Sequence, residues 1–329
     1  MTVQVSIIGL GEIGTSLGLA LRYQKADLKR IGSDLHKYAE ENALAKDAVD
    51  QVIHPIITAT AGADIVLLAI PANQIEETLR LIGPELKPHA AVLDFSPNRV
   101  KGAQLAAQYL KEPSHYLGVY PAINASYMDE VGDEHHTAHE DLFKSGSFII
   151  APDATTDPSV VKLASDLASL VGAYSFFTDP SELDGMVALI DTLPKLLSSS
   201  LLSAALTQTG WKEARKMAGK QFAVMTRLDS QPRTPEQLAD EILGNRDNTL
   251  RLMNDYVFQL KSMRDLIQSG DRQGLVGVFK EGWAGRESWI SDYTAGKWRQ
   301  ETQSTFKAPS FGDYLGQMFL GGLAGKKKE

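Results

Sequence analysis

The chain contains no cysteine in 329 residues. That excludes disulfides, thiolate metal sites and cysteine nucleophiles together, and it agrees with a reducing compartment. Basic residues are outnumbered by acidic ones, 33 against 41, which leaves a formal net charge of −8. They cluster only in the run Lys326-Lys327-Lys328, which reads as a solvated end. Nucleic acid is therefore not an expected partner, because phosphate binding needs a basic face. No apolar run reads as long enough to span a bilayer, and the apolar stretch from Leu315 to Leu323 is short; no membrane partner is expected. The first residues run directly into a strand-like segment, Val3 to Ile8, with no secretory signal ahead of it, so a cytoplasmic location is expected.

What is present points to two domains. The hydrophobic fraction of 43% and charged fraction of 22% are ordinary globular values, and the length allows two cores. Through residue 178, short apolar runs alternate with segments of helical period. The predicted strands are Val3–Ile8, Lys29–Asp34, Ile65–Ile70, Ala90–Asp94, Tyr116–Val119, Ser147–Ala151 and Ala173–Phe177. The predicted helices between them are Ile13–Tyr23, Gln74–Ile82, Val100–Leu110 and Ser159–Val171. Val-, Ile- and Leu-rich strands separated by helices imply an α/β, doubly wound, mostly parallel sheet covered on both faces. The pattern changes at Asp179-Pro180-Ser181-Glu182: an acidic N-cap, proline in the first turn and Glu three residues after the cap start a helix. Periodic stretches to about Leu206, from Pro235 to Ser269 and from Arg272 to Tyr293 make the second half all-helical. The expected division is 1–178, 179–300 and a tail, 301–329.

The first strand leads into Gly9-Leu10-Gly11-Glu12-Ile13-Gly14 and then a helix. This is G-x-G-x-x-G in strand–turn–helix context, the signature of a Rossmann dinucleotide site. Gly9 allows the tight turn, Gly11 lets the backbone approach a pyrophosphate, and Gly14 permits close helix–strand packing. The helix N-terminus offers free N–H groups to the phosphates. The second strand ends at Asp34, twenty residues past Gly14, where an acid can accept the ribose hydroxyls and disfavours a 2′-phosphate. The expected cofactor is thus NAD rather than NADP. Ile70-Pro71 closes a core strand at the edge where such cofactors lie, although Pro71 also reads as simple helix punctuation.

These residues resemble the prephenate/arogenate dehydrogenase family. The resemblance rests on Gly9 to Leu17 and on Ala63-Asp64-Ile65-Val66-Leu67-Leu68-Ala69-Ile70-Pro71. It continues through Glu140-Asp141-Leu142-Phe143, the run from Leu183 to Pro194, Met225-Thr226-Arg227-Leu228 and Gly244-Asn245-Arg246. It implies oxidative decarboxylation of prephenate or arogenate on the route to tyrosine: a base takes the ring hydroxyl's proton as hydride passes to the nicotinamide, and loss of carbon dioxide makes the ring aromatic. It also implies a homodimer joined through the helical domains.

Three segments depart from the family pattern. Its catalytic histidine lies in G-x-H-P, which here reads Gly118-Val119-Tyr120-Pro121, so Tyr120 stands in the base position. An ordinary tyrosine is a poor base at neutral pH. Nearby His115 reads as a plain surface histidine at the strand's other end. His135, His136 and His139 beside Glu134 and Glu140 read as a solvated loop, and no metal is expected. The family's D-x-x-S-x-K becomes Asp94-Phe95-Ser96-Pro97-Asn98-Arg99-Val100-Lys101, which leaves Ser96 as the candidate for orienting substrate, or as a loop serine. Lys195 replaces a second family histidine; it is either an acid/base like the helix lysine of the β-hydroxyacid dehydrogenases or an exposed helix-start lysine. Arg227 keeps the position that clamps the substrate carboxylate, a role suited to its planar fork. The expected function is an NAD-dependent prephenate/arogenate dehydrogenase with the substrate lined by Ser96, Tyr120, Lys195 and Arg227 between the domains. Two alternatives stay open: a dehydrogenase of the same build acting on another small carboxylate such as a 3-hydroxy acid, and a catalytically silent NAD-binding regulatory protein.

Overall fold

The computed structural model describes residues 2–22, 27–130, 137–227 and 234–296. The chain divides into two compact units, Met1–Leu183 and Asp184–Ala295; the expected tail at 301–329 lies outside the described residues.

The first unit carries eight strands in the order β3-β2-β1-β4-β5-β6-β7-β8. They are β1 (Val3–Ile8), β2 (Leu28–Ser33), β3 (Gln51–Val52), β4 (Ile65–Leu68), β5 (Ala91–Asp94), β6 (Tyr116–Ala122), β7 (Ser147–Ala151) and β8 (Tyr174–Phe177). All neighbours are parallel except β6 and β7. Helices α1 (Glu12–Ala20), α2 (Lys37–Ala45), α3 (Ile56–Thr60), α4 (Ile75–Ile82), α5 (Arg99–Tyr109) and α6 (Pro158–Leu170) cover the sheet. The apolar runs are continuous because both faces are buried. Alternate residues of one strand then serve different cores: Val3, Val5, Ile7, Ile65 and Leu67 join one cluster, and Ile8, Val66 and Leu68 the other.

Hydrogen-bonded register fixes which residues share an edge. Ile7 and Ile8 pair with Gly32 and Ser33 on one side, and Ile8 pairs with Leu68 on the other. Leu68 is level with Asp94, and Asp94 with Gly118. Everything just beyond this row, namely the Gly9 loop, Asp34, Ile70-Pro71, Ser96 and Tyr120, emerges at the carboxyl edge of the parallel strands. That is where ligands bind in open α/β sheets.

The helical run opens at α7 (Pro180–Val187), widens into a π turn at Ala188–Thr192 and continues as α8 (Leu193–Leu206). Asp179 caps it, its Oδ1 accepting the N–H groups of Ser181 and Glu182 at 2.9 Å each. Then follow α9 (Trp211–Ala214), α10 (Lys220–Met225), α11 (Pro235–Gly244), α12 (Arg246–Ser269) and α13 (Arg272–Ala295). Thr234 and Gln237 close α11 with a reciprocal capping box. The expected single helix from Pro235 to Ser269 is broken at Asn245, whose Nδ2 donates to Asp184 O at 2.7 Å. One expectation needs correcting: the run Pro180–Leu206, 27 residues, is long and apolar enough by length and composition to cross a membrane. Glu182, Asp184, Asp191 and Lys195 interrupt it, so its letters do not show one unbroken apolar run.

Candidate active site

The dinucleotide loop is built around contacts that exclude side chains. Gly9 sits at φ +90°, and a Cβ there would lie 2.3 Å from Ala69 O; only glycine tolerates both the left-handed backbone and that approach. A Cβ on Gly14 would lie 1.8 Å from Gly9 O, so α1 packs directly on the turn. Gly11 caps α1 with no side chain laid across its amide groups, and the positive end of the helix faces the loop. Asp34 stands beside this loop: its Oδ2 accepts Leu10 N–H at 2.7 Å and its Oδ1 accepts His36 N–H at 2.8 Å. Buried Glu40 supports it from behind, Oε1 accepting Asp34 N–H at 3.1 Å. A cradle that a Cβ would fill, with an acid at its rim, fits a dinucleotide: backbone at Leu10 to Gly14 for the pyrophosphate and Asp34 for the ribose hydroxyls.

Glu12 is the unusual member of the loop. Burial pushes its carboxyl above the ordinary range, with Glu130 adding to the rise and Thr137 and His139 opposing it.

Tyr120 lies two residues past the Asp94–Gly118 row, half-buried. Its ring is covered by the guanidinium of Arg99, 5.4 Å from the ring centroid. Arg99 is 2% exposed, donates from Nη2 to Val119 O at 3.2 Å, and presses on Gly118 so closely that a Cβ there would lie 2.5 Å from its Cγ. The left-handed Asn98, φ 70°, turns the chain into α5 and delivers Arg99 to this spot. Counting D-x-x-S-x-K from Asp94 puts Pro97 in the serine's place and Arg99 in the lysine's. Sequence reasoning offered Ser96 and missed Arg99, although the spacing from Asp94 was there to count.

Ser96 is buried, and its bonds are local: its N–H donates to Asp94 Oδ1 at 2.8 Å and its hydroxyl to Pro97 O at 3.2 Å. These are the bonds of a loop serine, and they leave its role toward substrate open. Asp94 itself is buried, and desolvation raises its carboxyl pKa despite hydrogen bonds from Tyr116 and Ser96 and the charge of Arg99. A second tyrosine, Tyr127, donates its hydroxyl to Asp141 Oδ1 at 2.6 Å. That bond pushes its pKa up to about 12.

Other expectations fare differently. His115 does lie at the opposite edge, ending a turn just before β6, but it is not a plain surface residue: its side chain is 11% exposed. His139 stacks on Tyr127 with ring centroids 4.2 Å apart and faces Glu130 at 2.8 Å; His135, His136 and Glu134 lie outside the described residues. In the second unit, Lys195 is not an exposed helix-start lysine. Its Nζ donates to Asp191 Oδ2 at 2.5 Å and to Glu241 Oε1 at 3.4 Å, with the side chain 15% exposed. Two carboxylates thus surround one ammonium. Arg227 is exposed just past α10, its carbonyl accepting the Ser198 hydroxyl at 2.9 Å.

The sheet order, the glycine turn and Asp34 define a dinucleotide-binding protein of the doubly wound α/β class. Comparison with known families takes this a step further. The nucleotide-binding-domain model of prephenate dehydrogenase matches residues 17–176 and its dimerisation-domain model matches 179–281, so the chain belongs to the prephenate dehydrogenase family. Its relatives include a prephenate dehydrogenase of Bacillus subtilis, 24% identical over 84% of this chain and 73% of that one. A cyclohexadienyl dehydrogenase of Zymomonas mobilis is 26% identical over 89% and 99%. Among solved structures, Aquifex aeolicus prephenate dehydrogenase with hydroxyphenyl propionate and NAD+ superposes with a TM-score of 0.77 at 21% identity, covering 87% of this chain and 98% of that one. The family resemblance read from the sequence holds, and the family's members are dehydrogenases.

Proposed function

We propose that this protein is an NAD-dependent dehydrogenase of prephenate or arogenate, with Tyr120 and Arg99 at the place where the family carries its base. The observation that carries this reading is the position of Tyr120 on the cofactor edge, beyond the Asp94–Gly118 row and against the Arg99 guanidinium. NAD, when bound, supplies the hydride acceptor. The backbone from Leu10 to Gly14 holds the pyrophosphate, and Asp34 accepts the ribose hydroxyls and disfavours a 2′-phosphate. Tyr120 meets the substrate hydroxyl and takes its proton as the carbonyl forms. To accept that proton Tyr120 enters as the phenolate, and the guanidinium on its ring offsets the anion's charge until the proton arrives. Arg227 receives a substrate carboxylate as a bidentate partner, while Lys195 keeps its unit ordered through Asp191 and Glu241. The chain works in the cytoplasm as a homodimer: the dimerisation-domain match and the exposed apolar side chains of α12 and α13 both support this.

NADH formation on a panel of prephenate, arogenate and simple 2- and 3-hydroxy acids tests the reading. Turnover of prephenate or arogenate is expected, with NAD preferred to NADP. Turnover of a hydroxy acid alone would assign the chain to a different substrate class.

A further inference from the structure

At the amino edge of the sheet, away from the dinucleotide loop, three side chains converge from two connections. His89 lies between α4 and β5, and Glu112 and His115 lie between α5 and β6. Nδ1 of His89 and Nδ1 of His115 each lie 3.3 Å from the same oxygen, Glu112 Oε2. The imidazole rings meet edge to face, centroids 5.5 Å apart, and the three ligand atoms lie within 4.8 Å of one another. The same Oε2 already accepts the backbone N–H of His89 at 2.9 Å. His115 Nδ1 is buried, and despite its closeness to Oε2 it makes no hydrogen bond. Two ring nitrogens crowd one oxygen without the alignment of hydrogen bonds.

We propose that His89, Glu112 and His115 form a binding site for a divalent transition metal of the zinc class. Tetrahedral zinc with nitrogen and oxygen ligands sets its donor atoms about 3.3 Å apart, the separation found between each imidazole nitrogen and Glu112 Oε2. Two imidazoles and one carboxylate suit zinc, nickel or copper and do not suit calcium or magnesium, which favour all-oxygen shells. His89 is exposed, so a fourth position stays open to water. Asp157, which caps α6, feels both imidazoles. The nearby ammonium groups are engaged elsewhere, Lys87 by Asp64 and Lys111 by Pro84 O. A metal here ties the connection before β5 to the one before β6, stiffening the edge of the sheet opposite the cofactor.

The test is calorimetric titration of the full chain with zinc sulfate at neutral pH, paired with thermal melts and repeated with magnesium chloride. One zinc per chain should bind with a rise in Tm, and magnesium should give neither. His89→Ala and His115→Ala should each weaken zinc binding by more than about tenfold, since disturbing the groups that merely orient a metal ligand already costs that much. Glu112→Gln, which keeps the shape and the partner of the His89 amide, guards against misfolding and should also weaken it. NAD titration reports whether each variant is folded. Absence of zinc binding in the folded wild-type chain would overturn the proposal, and so would unchanged binding in a folded His89→Ala/His115→Ala double variant.

Discussion

The two units bury their apolar residues in different ways. The first wraps a sheet on both faces and closes a set of large side chains fully from water: Ile7, Leu10, Leu17, Phe143 and Phe148 are all 0% exposed. Among the described residues, the second gathers Ala188, Leu193 and Leu252 into a small buried cluster, with Leu197 packed against it. Its Leu189, Ile190, Val257, Phe258, Ile267 and Trp283 stay 51% to 76% exposed. The nucleotide-binding half is self-sufficient, while the half matched by a dimerisation domain keeps apolar faces for another surface to cover.

The sharpest way to break the first unit is at its tightest point. Gly9→Val combines a disallowed backbone with a clash on Ala69 O. It should cost about 3 kcal/mol or more, and NAD binding should vanish. Unchanged denaturant midpoint and NAD affinity would remove the glycine turn from the account. Arg99→Met comes next. It keeps the bulk but removes a buried cation that serves Asp94 and Val119 O, and stripping one partner from a buried charged group costs about 3 kcal/mol. A Tm equal to wild type would show that Arg99 holds nothing together.

The second unit is tested at its exposed faces. Phe258→Asp with Trp283→Asp should weaken self-association by at least about tenfold if these side chains are anchors, read by light scattering across a dilution series. A wild-type chain that is already monomeric at micromolar concentration would leave the contrast between the units without its explanation.

The smallest expected effect is at Glu12, and its sign is fixed by burial. Its folded-state pKa lies above the ordinary carboxyl value, so folding favours the protonated form. The corresponding stability is fully present below the ordinary pKa and is lost as pH rises through the raised one. Glu12→Gln should therefore match wild type in acid and gain stability and NAD affinity toward neutral pH. Parallel melting curves across that range would place the acid in water.

Much of this was legible because parallel strands buried on both faces write themselves as unbroken apolar runs. Val3–Ile8 and Ser147–Ala151 match to the residue. The glycine turn and Asp34 were legible for a related reason, since steric exclusion and spacing both show in the letters. The two-residue β3 and the short α2 and α3 were missed: they lie at the sheet's periphery, where α2 is mostly exposed and carries no apolar stripe. The catalytic edge was half-legible. Tyr120 could be placed by its motif, but the burial of Arg99 depends on Asn98 turning left-handed, which no periodicity announces. The burial of Lys195 was not legible because Glu241, one of its two partners, lies 46 residues away. His115 was misjudged because burial at a strand's start depends on what the neighbouring connections lay over it.

The central claim is that Tyr120 does the work of the family's missing histidine, and kcat for NADH formation in Tyr120→Phe tests it most directly. With prephenate or arogenate as substrate, the account predicts a fall of at least about tenfold at unchanged NAD affinity, because only the proton acceptor is lost. A Tyr120→Phe enzyme with full kcat and a wild-type pH profile would contradict it and move the proton's destination to another residue.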